Sequence, residues 1–349
     1  MKLKSNSVTV KIPGKMYLLG EYAIVHPNQQ ALIYAVNRYL SLAIKPADSN
    51  RFTSAFLKEE AIPFRAERGM VRFDTPHDTR FIEHAINIAM EYLNIESLSN
   101  ISLQVSSELD QGYQRKLGFG SSGAITVAML KALIEYFNES ITDVALAKLA
   151  IITQMQFFPH SSYGDVVCSA LGGLVHYTKG SLETVKSLMR QYPLATVVGM
   201  PWQDWSMNRL SATLPPMLVI NTNQRASSED LVRQVNQVQD HPNFQRFLHQ
   251  SKEIVRLGKD ALMEGNLQAW YQSIDKYREL LVYLQSISSA NIETADIELL
   301  IHQLNTLGGH TKTSGAGGGD SLISFFNTKD DELKAREWLR QQGYDILDI

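Results

Sequence analysis

The stretch Leu117-Gly118-Phe119-Gly120-Ser121-Ser122-Gly123 combines three glycines with two hydroxyls. The run behind it, Ala124 to Leu133, is apolar and reads as a buried helix. Ahead of it Ile101, Leu103 and Val105 alternate with polar residues, as a strand with one buried face does. Glycine-rich chain feeding a helix N-terminus gathers unpaired backbone N–H groups at one point, with the positive end of the helix dipole behind them. Such a point binds phosphate. Ser121 and Ser122 can bond phosphate oxygens or a Mg²⁺ ion as well. The expected chemistry is a cradle for the triphosphate of a nucleotide.

Three familiar loops share parts of this spelling, and each fails. Gly118-x-Gly120-x-x-Gly123 fits the dinucleotide fingerprint, which requires a second parallel strand ending in an acidic residue. Here a second helical pattern follows instead, around Val144 to Ala150. The protein-kinase glycine loop is excluded because the His-Arg-Asp and Asp-Phe-Gly signatures are missing. A Walker A loop ends in Gly-Lys-Ser/Thr, which is absent here.

Other residues stand out for their chemistry. Lys15, Glu21, Tyr22 and His26 lie among apolar residues between Pro13 and Pro27, where a lysine needs a partner or a path to water. In Phe158 to Ala170, Asp165 opens an apolar run, a place suited to capping a helix. From Gly308 to Gly319, six of twelve residues are glycine. Ordering them costs much entropy, so close approach to a bound anion is the better reason for them than a flexible linker.

The elements that must position these residues follow from periodicity. A first strand through Val8, Val10 and Ile12 is expected to stop at Pro13-Gly14. Residues Ala31 to Ile44 and Phe52 to Phe73 read as sheet, with a turn from Pro46 to Asn50. Phe81 to Leu93 and Val144 to Gln156 read as helices, and Leu171 to Tyr177 as a strand closing a first domain. Tyr192 to Trp205 looks like a linker before the buried strand Met217 to Ile220. Helical patterns then cover Leu231 to Leu262, Leu267 to Leu284 and Ile292 to Leu307. A strand from Leu322 to Phe326, a helix from Asp331 to Gln341 and a short strand at Ile346-Leu347 close the chain.

The 349 residues suit two domains, and 44% apolar with 20% charged content is globular. A formal net charge of -3 with no basic patch gives no pull toward nucleic acid. The single cysteine, Cys168, excludes an internal disulfide and fits a reducing compartment. No apolar run reaches about 18 residues, and the cationic start lacks an apolar signal core. A soluble, cytoplasmic protein without membrane contact is the expectation, as a monomer or homodimer.

Taken in order, Pro13 to Tyr22, Gly118 to Gly123 and Lys312 to Asp320 resemble the three motifs of the GHMP small-molecule kinases. The Gly20-Glu21-Tyr22 form of the first, with Ser162-Tyr163-Gly164-Asp165 and Ser314 to Asp320, is similar to the bacterial phosphomevalonate kinase branch. The resemblance implies an α+β GHMP kinase fold. A ribosomal-S5-like N-terminal domain would cover residues 1–195 and a ferredoxin-like C-terminal domain residues 196–349. It implies ATP and Mg²⁺, and transfer of the γ-phosphate to phosphomevalonate, giving diphosphomevalonate on the route to isopentenyl diphosphate.

The roles carried over are specific. Lys15 and Asp165 match catalytic positions. Gly118, Gly120, Ser121, Ser122 and Gly123 match the ATP loop, with Ser122 on the metal; Lys116 falls to the nucleotide or the acceptor. Tyr22, Ser162, Ser227, Gly315, Ala316 (through its N–H) and Gly317, with Lys15, match acceptor contacts. Arg115 and Arg225 are further candidates for the acceptor's charges. A phosphomonoester has a second pKa of about 6, so Asp165 is expected to orient Lys15 and the metal more than to act as a base. Where mevalonate kinases carry a metal-binding glutamate this chain has Gln154, which argues against mevalonate kinase. Mevalonate kinase, diphosphomevalonate decarboxylase and a non-catalytic sensor on the same fold remain the alternatives.

Overall fold

The computed structural model describes residues 7–54, 61–110, 118–222, 228–319 and 321–348. These form two compact units, each assembled from separated segments. The first comprises Met1–Lys15, Ala35–Gly172 and Ser181–Gln203; the second comprises Met16–Tyr34, Gly173–Gly180 and Asp204–Ile349. The sequence suggested one boundary at 195/196. The strands Val8–Leu19 and Gln30–Pro46 instead contribute residues to both units.

In the first unit the strands run in the order Met70–Phe73, Ile62–Glu67, Arg51–Ser54, Ile101–Ser107, then the C-terminal part of Gln30–Pro46. Leu42 pairs with Val105 in antiparallel register, and Phe52 pairs with Leu103 in parallel. The alternation seen in the sequence holds from Leu103 onward: Ile101, Leu103 and Val105 are buried and Gln104 and Ser106 exposed, while Ser102 is buried as well. The helix Ser121–Tyr136 is buried nearly all round, as its mostly apolar content requires, with Lys131 and Glu135 only half-buried. It packs against the helices Arg80–Leu93, Asp143–Met155 and Gly164–Leu171. Thr142 caps Asp143–Met155 by accepting the Ala145 N–H at 3.2 Å.

Two expectations change in this unit. The first strand does not stop at Pro13-Gly14 but runs from Val8 to Leu19. It is held there by long-range bonds: Ser169 Oγ donates to Pro13 O at 2.8 Å, and Lys15 N–H donates to Phe119 O at 2.9 Å. The supposed linker contains the helix Leu194–Gly199. Its end is capped by Lys148, whose Nζ donates to Met200 O at 2.5 Å and lies 5.5 Å from the Trp202 ring centre.

In the second unit Met217–Asn221, Gly309–Ser314, Ser321–Phe326 and Asp345–Leu347 form an antiparallel four-stranded sheet, with helices after the first and third. The spatial order, second-third-first-fourth, is the ferredoxin-like β-α-β-β-α-β arrangement. Leu218, Ile220, Leu322 and Phe326 meet Ile301, Leu304 and Leu339 in one core. Residues Leu174–Thr178, placed by sequence in the first domain, lie in this unit, between Gln30–Tyr34 and Ser206–Leu210.

The pattern from Leu231 to Leu262 is two helices, Ser228–Asn236 and Pro242–Glu264, because Pro242 can start a helix but not continue one. The helix Leu267–Ile287 follows, after a turn that uses left-handed Gly265 and an Asn266 cap. Trp270 at its first turn is fully buried, and truncating it to alanine would cost about 3–5 kcal/mol. Gly309–Ser314 was not expected as a strand. Its polar residues are buried because they pair across the sheet, Thr311 Oγ1 with Ser324 Oγ at 2.7 Å among them.

Candidate active site

Lys15 sits on the strand that its neighbours pin to the glycine loop. Its Nζ donates to Gly118 O at 2.8 Å in a solvent-exposed bond, so this lysine has both a partner and a path to water. Gly118 and Gly120 have φ of 76° and 75°, the left-handed region open to glycine. Gly120 is the N-cap of Ser121–Tyr136, and the first intrahelical bond is Ala124 N–H to Gly120 O at 3.0 Å. The N–H groups of Ser121, Ser122 and Gly123 therefore precede the helical ladder. A β-carbon on Gly120 would come within 3.0 Å of Lys15 Cε and 3.4 Å of Asp165 Cβ. Lys15 and Asp165 thus both lie against the loop. Ser122 is exposed and Ser121 half-buried.

Asp165 is not a helix cap. The helix Gly164–Leu171 is entered from Tyr163, a buried residue at φ 59°, ψ 8°, and Asp165 is its second residue. A left-handed tyrosine is disfavoured by about 1–2 kcal/mol. Its surroundings hold it: Tyr163 OH donates to Phe158 O at 2.7 Å, and Ser161 and Ser162 Oγ accept the N–H groups of Tyr163 and Gly164 at 3.3 Å each. Such over-determined strain collects at working sites. Asp165 Oδ1 is withdrawn from solvent with no hydrogen-bond partner among the described residues. Burial pushes its carboxyl above the usual range; the Lys15 charge, two backbone N–H groups and the Gln154 side chain pull the other way. Gln154, noted in the sequence only for not being a glutamate, is buried beside it. Cys168, one turn further, is fully buried, and burial pushes its thiol up, which makes it a packing residue.

In the second unit, Tyr22 has φ 62°, ψ −49°, and Ala23 N–H donates to Glu21 O at 2.6 Å. This is the rare γ-turn with positive φ at its centre. Tyr22 OH donates to Ala316 O in the second glycine-dense turn. Gly315, Gly317, Gly318 and Gly319 there all have positive φ, and Gly318 N–H donates to Ile292 O at 2.7 Å. A β-carbon on Gly317 would lie 2.5 Å from Ile292 O, so the turn and that carbonyl require glycine.

The sequence-predicted residues therefore fall into two groups. Lys15, Gly118, Gly120, Gly123 and Asp165 come together in the first unit, with Ser121, Ser122 and Ser162 adjoining them in the chain. Tyr22 and Ala316, with Gly315 and Gly317, come together in the second. Lys116, Ser227, Arg115, Arg225 and Asp320 lie outside the described residues. Sequence reasoning missed Lys312, whose ammonium is fully buried against Glu21. The one available signal was that both residues lie inside the motifs already singled out.

These residues suit a nucleotide with a divalent cation. Open N–H groups and a lysine fit phosphates, and an orphaned carboxylate oxygen with a nearby serine fits a cation. Among the described residues no cluster of three His, Cys, Asp or Glu could hold a metal alone. A Mg²⁺ ion here would share its coordination with phosphate oxygens, as that ion commonly does.

Comparison with known proteins agrees with this chemistry. Residues 80–173 match the GHMP kinases N terminal domain and residues 259–345 the GHMP kinases C terminal domain, together more than half of the chain. A phosphomevalonate kinase from Streptomyces sp. (strain CL190) is 28% identical over 334 residues, 91% of this chain and 89% of that protein. The crystal structure of a Lin0012 protein from Listeria innocua is 31% identical with a TM-score of 0.90, over 98% of this chain and 97% of that one. Streptococcus pneumoniae phosphomevalonate kinase in complex with phosphomevalonate and AMPPNP is 28% identical with a TM-score of 0.83, over 97% and 98% of the two chains. The chain belongs to the GHMP kinases and is an ATP-dependent kinase of small molecules.

Proposed function

We propose that the protein is a phosphomevalonate kinase. The observation that carries this reading is the juxtaposition of Lys15, the open end of the Ser121–Tyr136 helix and the orphaned Asp165 Oδ1 around Gly120 and Gly123. The relatives named above support phosphomevalonate as the acceptor. Bound ATP with Mg²⁺ supplies the γ-phosphoryl group, which passes to an acceptor phosphate oxygen with ADP leaving.

The chain's own residues then have defined tasks. Backbone N–H groups from Ser121 to Gly123 hold donor phosphates, and Ser122 with Asp165 Oδ1 would hold the cation. Lys15 supplies positive charge where negative charge spreads in the transition state. Asp165 orients Lys15 and the cation, since an acceptor with a pKa near about 6 arrives largely ionised at neutral pH. Motif positions assign Tyr22, Ser162 and Ala316 to the acceptor. Lys116 and Ser227 are assigned to substrate by their motif positions alone.

Release of ADP measured in parallel with mevalonate, phosphomevalonate and diphosphomevalonate tests the reading. Phosphomevalonate should give the highest kcat/KM. A preference for either other acceptor, or tight ATP binding with no turnover, would replace it with one of the alternatives.

A further inference from the structure

Lys312 and Glu21 form an ion pair deep in the second unit. Their side chains are 0% and 1% exposed. Lys312 Nζ also donates to Thr313 O at 2.6 Å and stands 5.6 Å from the centre of the Tyr277 ring. Burial pulls the ammonium below its ordinary value, and the carboxylate of Glu21 opposes that shift. The carboxylate is only half satisfied, because Glu21 Oε2 is buried without a hydrogen-bond partner among the described residues.

A buried pair of this kind is a poor way to gain stability. Desolvation offsets most of the attraction, and well-packed apolar replacements are often neutral or stabilising. Its position suggests another use. Glu21 is the first residue of the strained turn at Tyr22, and its carbonyl accepts both the Ala23 N–H at 2.6 Å and Tyr277 OH at 2.9 Å. Tyr277 is in turn bonded to Ser251 at 2.9 Å. Lys312 lies on the strand leading into the glycine turn that holds Ala316. Two further bonds run alongside: Ser314 Oγ to Tyr17 O at 2.8 Å, and Tyr22 OH to Ala316 O. The backbone on either side of the pair is therefore fixed at the two residues assigned to the acceptor.

We propose that Glu21 and Lys312 are positioning residues, whose ion pair locks Tyr22 in its left-handed turn and sets Tyr22 and Ala316 in register for the acceptor. The acceptor role rests on the functional reading above; the lock itself does not.

The test is the paired replacement Glu21→Leu/Lys312→Met, which removes both charges without stranding either. It should fold with a Tm at or above that of the wild type. Deuterium uptake at residues 17–25 should rise, and KM for phosphomevalonate should rise about tenfold or more while KM for ATP stays within about twofold. Unchanged uptake overturns the proposal, as does raised uptake with an unchanged acceptor KM, which would make the pair merely structural. If this pair fails to fold, Glu21→Gln/Lys312→Met is closer in shape and is read in the same way. A wild-type chain that binds ATP but turns over none of the three acceptors would sink the functional reading alone, and the uptake measurement would still decide the lock.

Discussion

Gly123 and Asp165 approach so closely that a β-carbon built on Gly123 would lie 2.5 Å from Asp165 Oδ2 and 2.8 Å from its Cγ. Gly123 is in the first turn of a helix, where alanine is favoured over glycine by about 1 kcal/mol. The substitution Gly123→Ala therefore opposes local preference with one contact, and that contact is with the carboxylate. We expect kcat to fall about a hundredfold, the scale of a displaced catalytic group, while thermal unfolding changes little. Steady-state kinetics and a melting curve on the same sample check this. Near-normal turnover would mean that Asp165 need not sit against the loop.

Asp165 also links activity to stability. Its carboxyl is raised above the ordinary value mainly by burial. The folded chain holds that proton more tightly than the unfolded one, so this contribution to stability is complete below the unfolded pKa of 3.8 and is lost as pH rises through the folded value. At pH 7 the buried charge opposes folding. Asp165→Asn should raise Tm at pH 7 by about 2 °C or more, lose the advantage near pH 4 and be almost inactive. Melting curves at the two pH values measure the difference.

Lys15 Nζ is held by Gly118 O at 2.8 Å. Lys15→Met should lower kcat about a thousandfold, the lower range for removing a cation that neutralises a transferring phosphoryl group. Lys15→Arg should not fully restore it, because a planar, delocalised guanidinium does not reproduce the compact point charge of the ammonium. Single-turnover measurements with saturating ATP separate this loss from weaker binding.

Two half-buried histidines weaken the fold on the acid side. His26, edge-on to Phe244 at 5.1 Å, and His176, bonded to Gln30 at 3.2 Å, are both brought down to about 4. Burial is the main cause; Lys179 adds to it for His26 and Lys259 for His176. Between that value and the ordinary 6.5 the unfolded chain binds more protons, so stability should fall as pH drops through this window. Urea titrations at several pH values should show the slope, and His26→Gln/His176→Gln should flatten it.

Local signals made part of this legible. The strand through Ile101, Leu103 and Val105 and the helix carrying Gly123 follow from periodicity, and a left-handed glycine at that helix's entrance follows from the glycine-rich spelling. What was hidden depends on partners far along the chain. Pro13-Gly14 reads as a stop, yet Ser169 and Phe119 carry the strand past it. The Leu194–Gly199 helix is six residues long and depends on Lys148 and on Trp202 Nε1, which donates to Val197 O at 3.0 Å. A short helix of that kind has too few positions to show a period. The left-handed backbone of Tyr22 and Tyr163 is invisible for another reason: nothing in a tyrosine favours it, and only the finished fold imposes it.

The interleaved make-up of the two units limits how this gene can be divided. A fragment beginning at residue 196 would carry Ser206–Leu210 but neither Leu174–Thr178, with which it pairs, nor Gln30–Tyr34 beyond. Such a piece exposes an unpaired strand edge and should aggregate. Recombination with a relative at one midpoint crossover would sever both units at once. A chimera that exchanges one whole unit has its joins at 15/16, 34/35, 172/173, 180/181 and 203/204, so inheritance of either unit by module exchange needs several simultaneous joins.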